Sequence, residues 1–391
     1  FFLNILRLII LDAPLALEMR RFVGDAIISS IIGYEDSLWS VRNSSTMVFA
    51  TAMLRVIDPD KNAKKKDPTT GDAITALELF RTYPGLSPFL LAVLKLGTSR
   101  VRSGEDNVQL ERLAVFPILL LLSRLHQSFS TLDEDLSASP VKSFLAPVFG
   151  CLGHKEHKIR FVAARALSVL CTGERSEQGN SSIQTLLCRC RAAADNASEG
   201  DWNTAHGALM GIHALLLSSQ KPSSVLIQTN CMDTILKYAS WFDSRLTCPP
   251  SCVAVALEVW SSAVMECQDG EEISLSMLLK TGADVVHRIE QLLAAGYPPL
   301  EGLGSLGQVI GKVCCSGAMQ VVFDLKRAQN TRNEHIQKIS RLLNSSCYDV
   351  RLACIKQLKK MIYSSVDKVI DDLDWEVKQK LVLIDSVNKV L

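Results

Sequence analysis

The chain has 391 residues and a mass of 43.0 kDa, with 48% apolar and 21% charged residues. That much apolar surface offsets ordering entropy and excludes a disordered chain. Forty-two Lys and Arg against 41 Asp and Glu leave a net charge of +1, which excludes coating nucleic acid by bulk charge. Aromatic residues at 6% are too few for a β-sandwich and favour helices packed on helices.

In chain order, Phe1 to Met19 is apolar but broken by Asn4, Arg7 and Asp12, a poor fit to a secretory signal. The sequence opens on Phe1 and reads as a fragment of a longer protein. Trp39-Ser40-Val41-Arg42-Asn43-Ser44-Ser45 has the form of a HEAT-repeat second helix with small polar residues where Ala usually sits. Asp58 to Pro68 is a charged insertion carrying Lys61, Lys64, Lys65 and Lys66. Arg100 and Arg102 flank another predicted loop, with Ser99 and Ser103. Leu110 to Leu125 has helical periodicity. Its apolar run, Leu113 to Leu122, contains Pro117 and falls short of the roughly 20 residues that span a bilayer, so no membrane segment is expected.

Ile159 to Cys171 is the next helical segment, and His157 to Leu167 repeats the HEAT form. Gly173 to Ser182 reads as a polar loop. Ala205 to Leu217 and Cys252 to Met265 are again helical, Asp349 to Leu358 is a third HEAT-like copy, and Asp367 to Leu391 reads as a last helix pair. Breakers fall between segments, at Pro84, Gly85 and Pro88, at Pro140, and at Pro249 and Pro250. Apolar residues recur at i, i+3, i+4 and i+7, with no strand run and no βαβ alternation. The expected fold is all-α, a HEAT- or armadillo-like α-solenoid: a superhelical array of antiparallel helix pairs, continuous over residues 1–391.

Motifs for chemistry are sparse. Cys188-x-Cys190, Cys248-x3-Cys252 and Cys314-Cys315 lack the second pair that zinc needs, so no metal site is expected. Gly302-Leu303-Gly304-Ser305-Leu306-Gly307 follows a Pro-rich turn rather than a strand, against a dinucleotide loop. No nucleophile elbow, HExxH or P-loop occurs, and no catalytic residue or cofactor is assigned. Cys151, Cys171, Cys188, Cys314 and Cys354 sit inside helical patterns as small hydrophobes, which suits a reducing compartment. Lys155, Lys158 and Arg160 cluster beside His154 and His157, a group able to meet phosphates without reading sequence.

Trp39 to Met47 closely resembles a segment of the thyroid adenoma-associated (THADA) family and its fungal relatives. Leu79-Phe80-Arg81-Thr82-Tyr83-Pro84-Gly85-Leu86-Ser87-Pro88-Phe89-Leu90 is similar to the family's Phe-Phe-x-Arg-Phe/Tyr-Pro-x-Leu-x-Pro-Phe-Leu stretch. Arg165-Ala166-Leu167 and Asn203-Thr204-Ala205-His206-Gly207-Ala208-Leu209 follow in the family order. The resemblance covers about Leu3 to Trp260, with further HEAT-like helices from 261 to 391, and the family's Arg-Arg-Ser-Ala-Gly stretch is absent upstream of Trp39. It implies a long cytoplasmic α-solenoid, the non-catalytic partner of an FtsJ-like, S-adenosylmethionine-dependent methyltransferase. That pair would methylate the ribose 2′-OH of tRNA nucleotide 32, with direct tRNA contact an open expectation. A generic HEAT adaptor for protein partners is the alternative. The candidate contacts to RNA or partner are Arg42, Asn43, Ser44, Ser45, Lys61, Lys64, Lys65, Lys66, Arg100, Arg102 and His206. For Arg42 an inter-repeat structural role, and for His206 beside Gly207 a packing role, are the competing readings.

Overall fold

A computed structural model of the chain describes residues 1–12, 14–57, 74–103, 111–126, 141–171, 177–195, 201–218, 231–240 and 249–265. Two compact units divide it, Phe1–Gln220 and Lys221–Leu391. The first contains α1 (Phe2–Leu11), α2 (Ala16–Met19), α3 (Val23–Gly33), α4 (Trp39–Ile57), α5 (Ala76–Thr82), α6 (Leu86–Ser103), α7 (Glu111–Arg124), α8 (Leu145–Cys151), α9 (His157–Cys171), α10 (Glu177–Asp195) and α11 (Trp202–Leu217). Single 3-10 turns, Arg20–Phe22 and Lys142–Phe144, lead into α3 and α8.

These helices pack as pairs, α3 with α4, α6 with α7, α8 with α9, and α10 with α11. Turns as short as Leu152 to Glu156, between α8 and α9, force the chain to reverse. Two rows result. In one, α3 meets α6 and α6 meets α8; in the other, α7 meets α9 and α9 meets α11. This is the layered packing of an α-solenoid, in which each pair covers its apolar face only with its neighbours. The second unit contributes α12 (Met232–Ser240) and α13 (Pro250–Met265), which pack together over Ile235, Tyr238, Leu257 and Trp260. No helix among the described residues is long and apolar enough to cross a membrane.

Local chemistry sets the helix ends. Thr75 and Glu78 form a reciprocal capping box at α5, and those hydrogen bonds hold the Glu78 carboxyl below its usual range. Asp201 caps α11 by accepting from the Thr204 N–H at 3.2 Å. Arg55 of α4 donates from Nε to the Ile10 carbonyl (2.9 Å) and from Nη2 to that of Leu11 (3.0 Å), satisfying the end of α1.

The segment read as a loop from Gly173 to Ser182 is helical from Glu177. Ile183, Leu186, Leu187 and Cys190 bury a face, α10 packs on α11, and the polar first turn is carried into the helix. Arg100 and Arg102 lie inside α6, not beside a loop; the helix runs to Ser103 because no breaker intervenes before Gly104. The insertion carrying Lys61, Lys64, Lys65 and Lys66, the segment Gly302 to Gly307 and the repeats from Asp349 onward lie outside the described residues. Burial pushes the Cys151 thiol up to about 12 and that of Cys171 to about 11, so both are protonated packing groups.

Close approach depends on missing side chains. A Cβ on Gly207 of α11 would collide with the backbone carbonyl of Leu152 at the α8–α9 turn. One on Gly24 would come within 2.8 Å of the Tyr83 ring, whose hydroxyl donates to the Arg20 carbonyl at 2.8 Å. Gly207→Ala is therefore expected to cost more than about 2 kcal/mol, because the obstacle is backbone that cannot rotate away. Gly85→Ala, with nothing within 4 Å of the added carbon, should stay within about 1 kcal/mol of the parent. Urea denaturation of both variants checks the contrast.

Candidate functional site

The first group of candidate residues opens α4. Before it, Asp36 turns the chain by accepting the Leu38 N–H on Oδ1 at 2.7 Å. Arg42 then reaches back, and its Nη1 donates to the carbonyls of Asp36 and Ser37, both at 2.8 Å. Asn43 is exposed, Ser44 half-buried and Ser45 fully buried against Gly33. Thr46 donates to the Arg42 carbonyl at 2.9 Å, and the Met47 sulfur accepts from Arg7 at 3.5 Å. Of the residues Arg42 to Ser45, only Asn43 presents an exposed side chain.

The second group is buried and more elaborate. Arg160, near the start of α9, is 7% exposed. Its Nη1 donates to the carbonyls of His154 (2.7 Å) and Lys155 (2.9 Å) and to Asn203 Oδ1 (2.8 Å). Its Nε donates to His206 Nδ1 at 3.2 Å. Four acceptors from the α8–α9 turn and from α11 thus converge on one planar guanidinium. His206 is 3% exposed, and its acceptor role fixes the tautomer with hydrogen on Nε2. Burial first, then the Arg160 charge and His157, lower its pKa from 6.5 to about 4. The neutral ring therefore receives the Arg160 bond at neutral pH.

Arg42 and Arg160 are the same device in two repeats. Each donates through Nη1 to carbonyls six and five residues earlier in the chain, at 2.7–2.9 Å. The Val41 and Arg42 N–H groups both reach the Leu38 carbonyl, as those of Ile159 and Arg160 both reach Glu156. The structure thus brings Arg42 to Ser45 onto one turn of α4, and His206 onto a separate cluster with Arg160, Asn203 and His157. It removes Arg160 and His154 from the exposed basic cluster and leaves Lys155, His157 and Lys158 on the surface. The side chains of Arg100 and Arg102 lie outside the described part of α6. His157, Phe161 and Arg165, spaced four apart, form an exposed ridge on α9, of which the sequence pointed to His157 alone as a candidate contact. Their helical spacing was the available clue.

A family model described as Trm732, C-terminal TPR repeats, matches residues 42–215. That range runs from the first guanidinium clamp to the end of α11, the stack of pairs itself. Both repeat names, TPR and HEAT, describe stacked helix pairs. The chain is 29% identical over 221 residues to the tRNA (32-2′-O)-methyltransferase regulator THADA of Gallus gallus, covering 55% of this chain and 11% of the relative. It is 26% identical over 404 aligned positions to that of Mus musculus, covering 100% and 20%. With the tRNA (32-2′-O)-methyltransferase regulator trm732 of Schizosaccharomyces pombe it shares 23% over 214 residues, covering 55% and 13%. Over this stretch the chain is similar to the THADA regulators. It spans about a tenth to a fifth of the length of these relatives.

The Asn203-x-x-His206-Gly207 motif docks α11 on the α8–α9 turn. Asn203 and His206 accept from Arg160, and Gly207 lets α11 reach the Leu152 carbonyl. The Tyr83 of the Leu79–Leu90 stretch clamps the turn before α3.

Arg160→Ala leaves buried carbonyls and His206 without their donor, and should cost about 3–5 kcal/mol. Arg42→Ala opens a more exposed turn and should cost about 1 kcal/mol; chemical denaturation ranks the two. Ser45 Oγ is buried with no hydrogen-bond partner. Ser45→Ala should therefore be neutral or stabilise by up to about 1 kcal/mol, read as a raised melting temperature. His206 binds its proton more weakly folded than unfolded, so stability is complete above pH 6.5 and is lost as pH falls through the window down to about 4. His206→Gln, which keeps an acceptor but does not titrate, should flatten the urea-midpoint curve between pH 7 and pH 4 by about 2–3 kcal/mol relative to wild type.

Proposed function

We propose that this chain is a scaffold segment of a non-catalytic regulatory subunit. Its partner is an FtsJ-like methyltransferase that modifies the ribose 2′-OH of tRNA nucleotide 32. The observation that carries this reading is the match over residues 42–215 together with relatives named as regulators of that methylation. The distribution of polar groups supports it. Arg42, Arg160, Asn203 and His206 are committed to holding helix pairs together, as a scaffold requires. In this reading the methyltransferase brings the S-adenosylmethionine in its own fold, and this chain contributes surface. Asn43, Ser44, the lysines at 61, 64, 65 and 66, and Arg100 and Arg102 are proposed to face tRNA or the methyltransferase. Arg42 and Ser45 shape the turn that presents Asn43, and His206 positions α11. The complex would work in the cytoplasm, where buried thiols such as Cys151 stay reduced.

The test is ribose methylation at tRNA nucleotide 32 in cells lacking the gene. Deletion should abolish it and the wild-type gene should restore it. Asn43→Ala, which leaves the Arg42 clamp in place, should restore it only in part at matched protein level. Methylation unchanged by deletion would sink the subunit reading and leave an adaptor for protein partners.

A further inference from the structure

We infer that the exposed ridge His157–Phe161–Arg165 of α9, with Lys155 and Lys158 beside it, is a stacking site for an unpaired nucleotide of an RNA strand. This deepens the proposed function and rests on it for the choice of RNA as occupant.

The residues are on one face at helical spacing. The His157 and Phe161 rings lie 21° from parallel with centroids 6.4 Å apart. The Arg165 guanidinium carbon stands 5.9 Å from the Phe161 centroid, at the outer edge of cation–π range. Phe161 nevertheless remains 45% exposed, so its neighbours do not cover it. The buried His206 ring lies 5.5 Å from the His157 ring, tilted by 53°. The Lys155 carbonyl accepts from Arg160, which fixes the backbone from which that lysine projects. Among the described residues, no carboxylate forms an ion pair with Lys155, Lys158 or Arg165. A flat apolar ring between an imidazole and a guanidinium, flanked by lysine amines, matches a base with its phosphates. A membrane would ask for a wider apolar area than one phenyl ring.

The repeat supplies an internal comparison. Aligning Arg42 with Arg160 places Trp39, Ser40, Asn43 and Met47 of α4 opposite His157, Lys158, Phe161 and Arg165 of α9. The α4 ridge carries no charge, and its Met47 is engaged by Arg7 of α1. Helix packing therefore does not demand a basic aromatic ridge at these positions.

The test is fluorescence anisotropy of a labelled single-stranded uridine oligonucleotide titrated with the full chain, without methyltransferase. Wild type should bind, and Phe161→Ala should weaken binding about tenfold, with Phe161→Trp restoring it. Lys158→Glu and Arg165→Glu should weaken binding and make its salt dependence shallower. Lys95→Glu, the same charge change on the exposed face of α6, should leave it unchanged. Unaltered melting temperatures for the Phe161 variants are expected, since the ring is outside the core.

No binding by wild type, no effect of Phe161→Ala, or equal losses from Lys95→Glu and Lys158→Glu would overturn the site. Competition by polyglutamate as strong as by unlabelled RNA would assign the ridge to acidic peptides instead, and also overturns it. Failure of the methylation test with this binding intact would remove the subunit reading alone. Intact methylation with no binding here would remove only the ridge.

Discussion

The stack depends on how turn carbonyls are satisfied. A chain that reverses between two helices leaves carbonyls with no helical partner, and packing the next pair on top removes them from water. An orphaned buried carbonyl is expensive. A guanidinium answers this because it presents several donors in one plane and stays charged. Arg42 and Arg160 each bring one such fork back to two consecutive turn carbonyls. At Arg160 the same group also reaches Asn203 and His206 on α11, so a local cap becomes a joint between successive pairs. The joint then imposes its own conditions. His206 must be neutral to accept, which its lowered pKa secures, and Gly207 must lack a side chain so that α11 can reach the Leu152 carbonyl.

Other contacts across the stack repeat this logic with different donors. Arg55 closes the end of α1, Arg189 donates to the Phe149 carbonyl at 2.8 Å, and Tyr83 donates to that of Arg20. In each case a long side chain from one helix satisfies backbone at the end of another. These bonds are directional, while the leucine and isoleucine core between the rows is not. The core supplies most of the burial, and the directional bonds set the register in which the pairs stack.

Much of this was legible in the sequence, because helical period survives in the apolar positions. The segments Leu110 to Leu125, Ile159 to Cys171, Ala205 to Leu217 and Cys252 to Met265 correspond closely to α7, α9, α11 and α13. The start of α10 was hidden, since its first turn is polar and the packing that makes it helical comes from α11. The HEAT-like similarity of Trp39–Ser45 and His157–Leu167 was visible, but the matching hydrogen bonds were not. Sequence cannot say which of several neighbouring cations is buried. Arg160 and Lys158 look alike there, yet one is a buried joint and the other solvent-exposed. Nor does sequence show that Ser45 packs against Gly33 with its hydroxyl unbonded.

That distinction bears on where recognition can reside in such a chain. A motif residue buried and hydrogen-bonded inside the stack offers little to a ligand. Arg160 illustrates the limit, with contacts to two turn carbonyls, an amide oxygen and a ring nitrogen. These buried residues therefore build the platform, and a partner can meet only the exposed positions that the repeat leaves unconstrained. At those positions equivalent helices are free to differ, as α4 and α9 do with Asn43 and Met47 against Phe161 and Arg165. Differences between structurally equivalent repeats, rather than the residues that make them equivalent, carry the chemistry available to a partner.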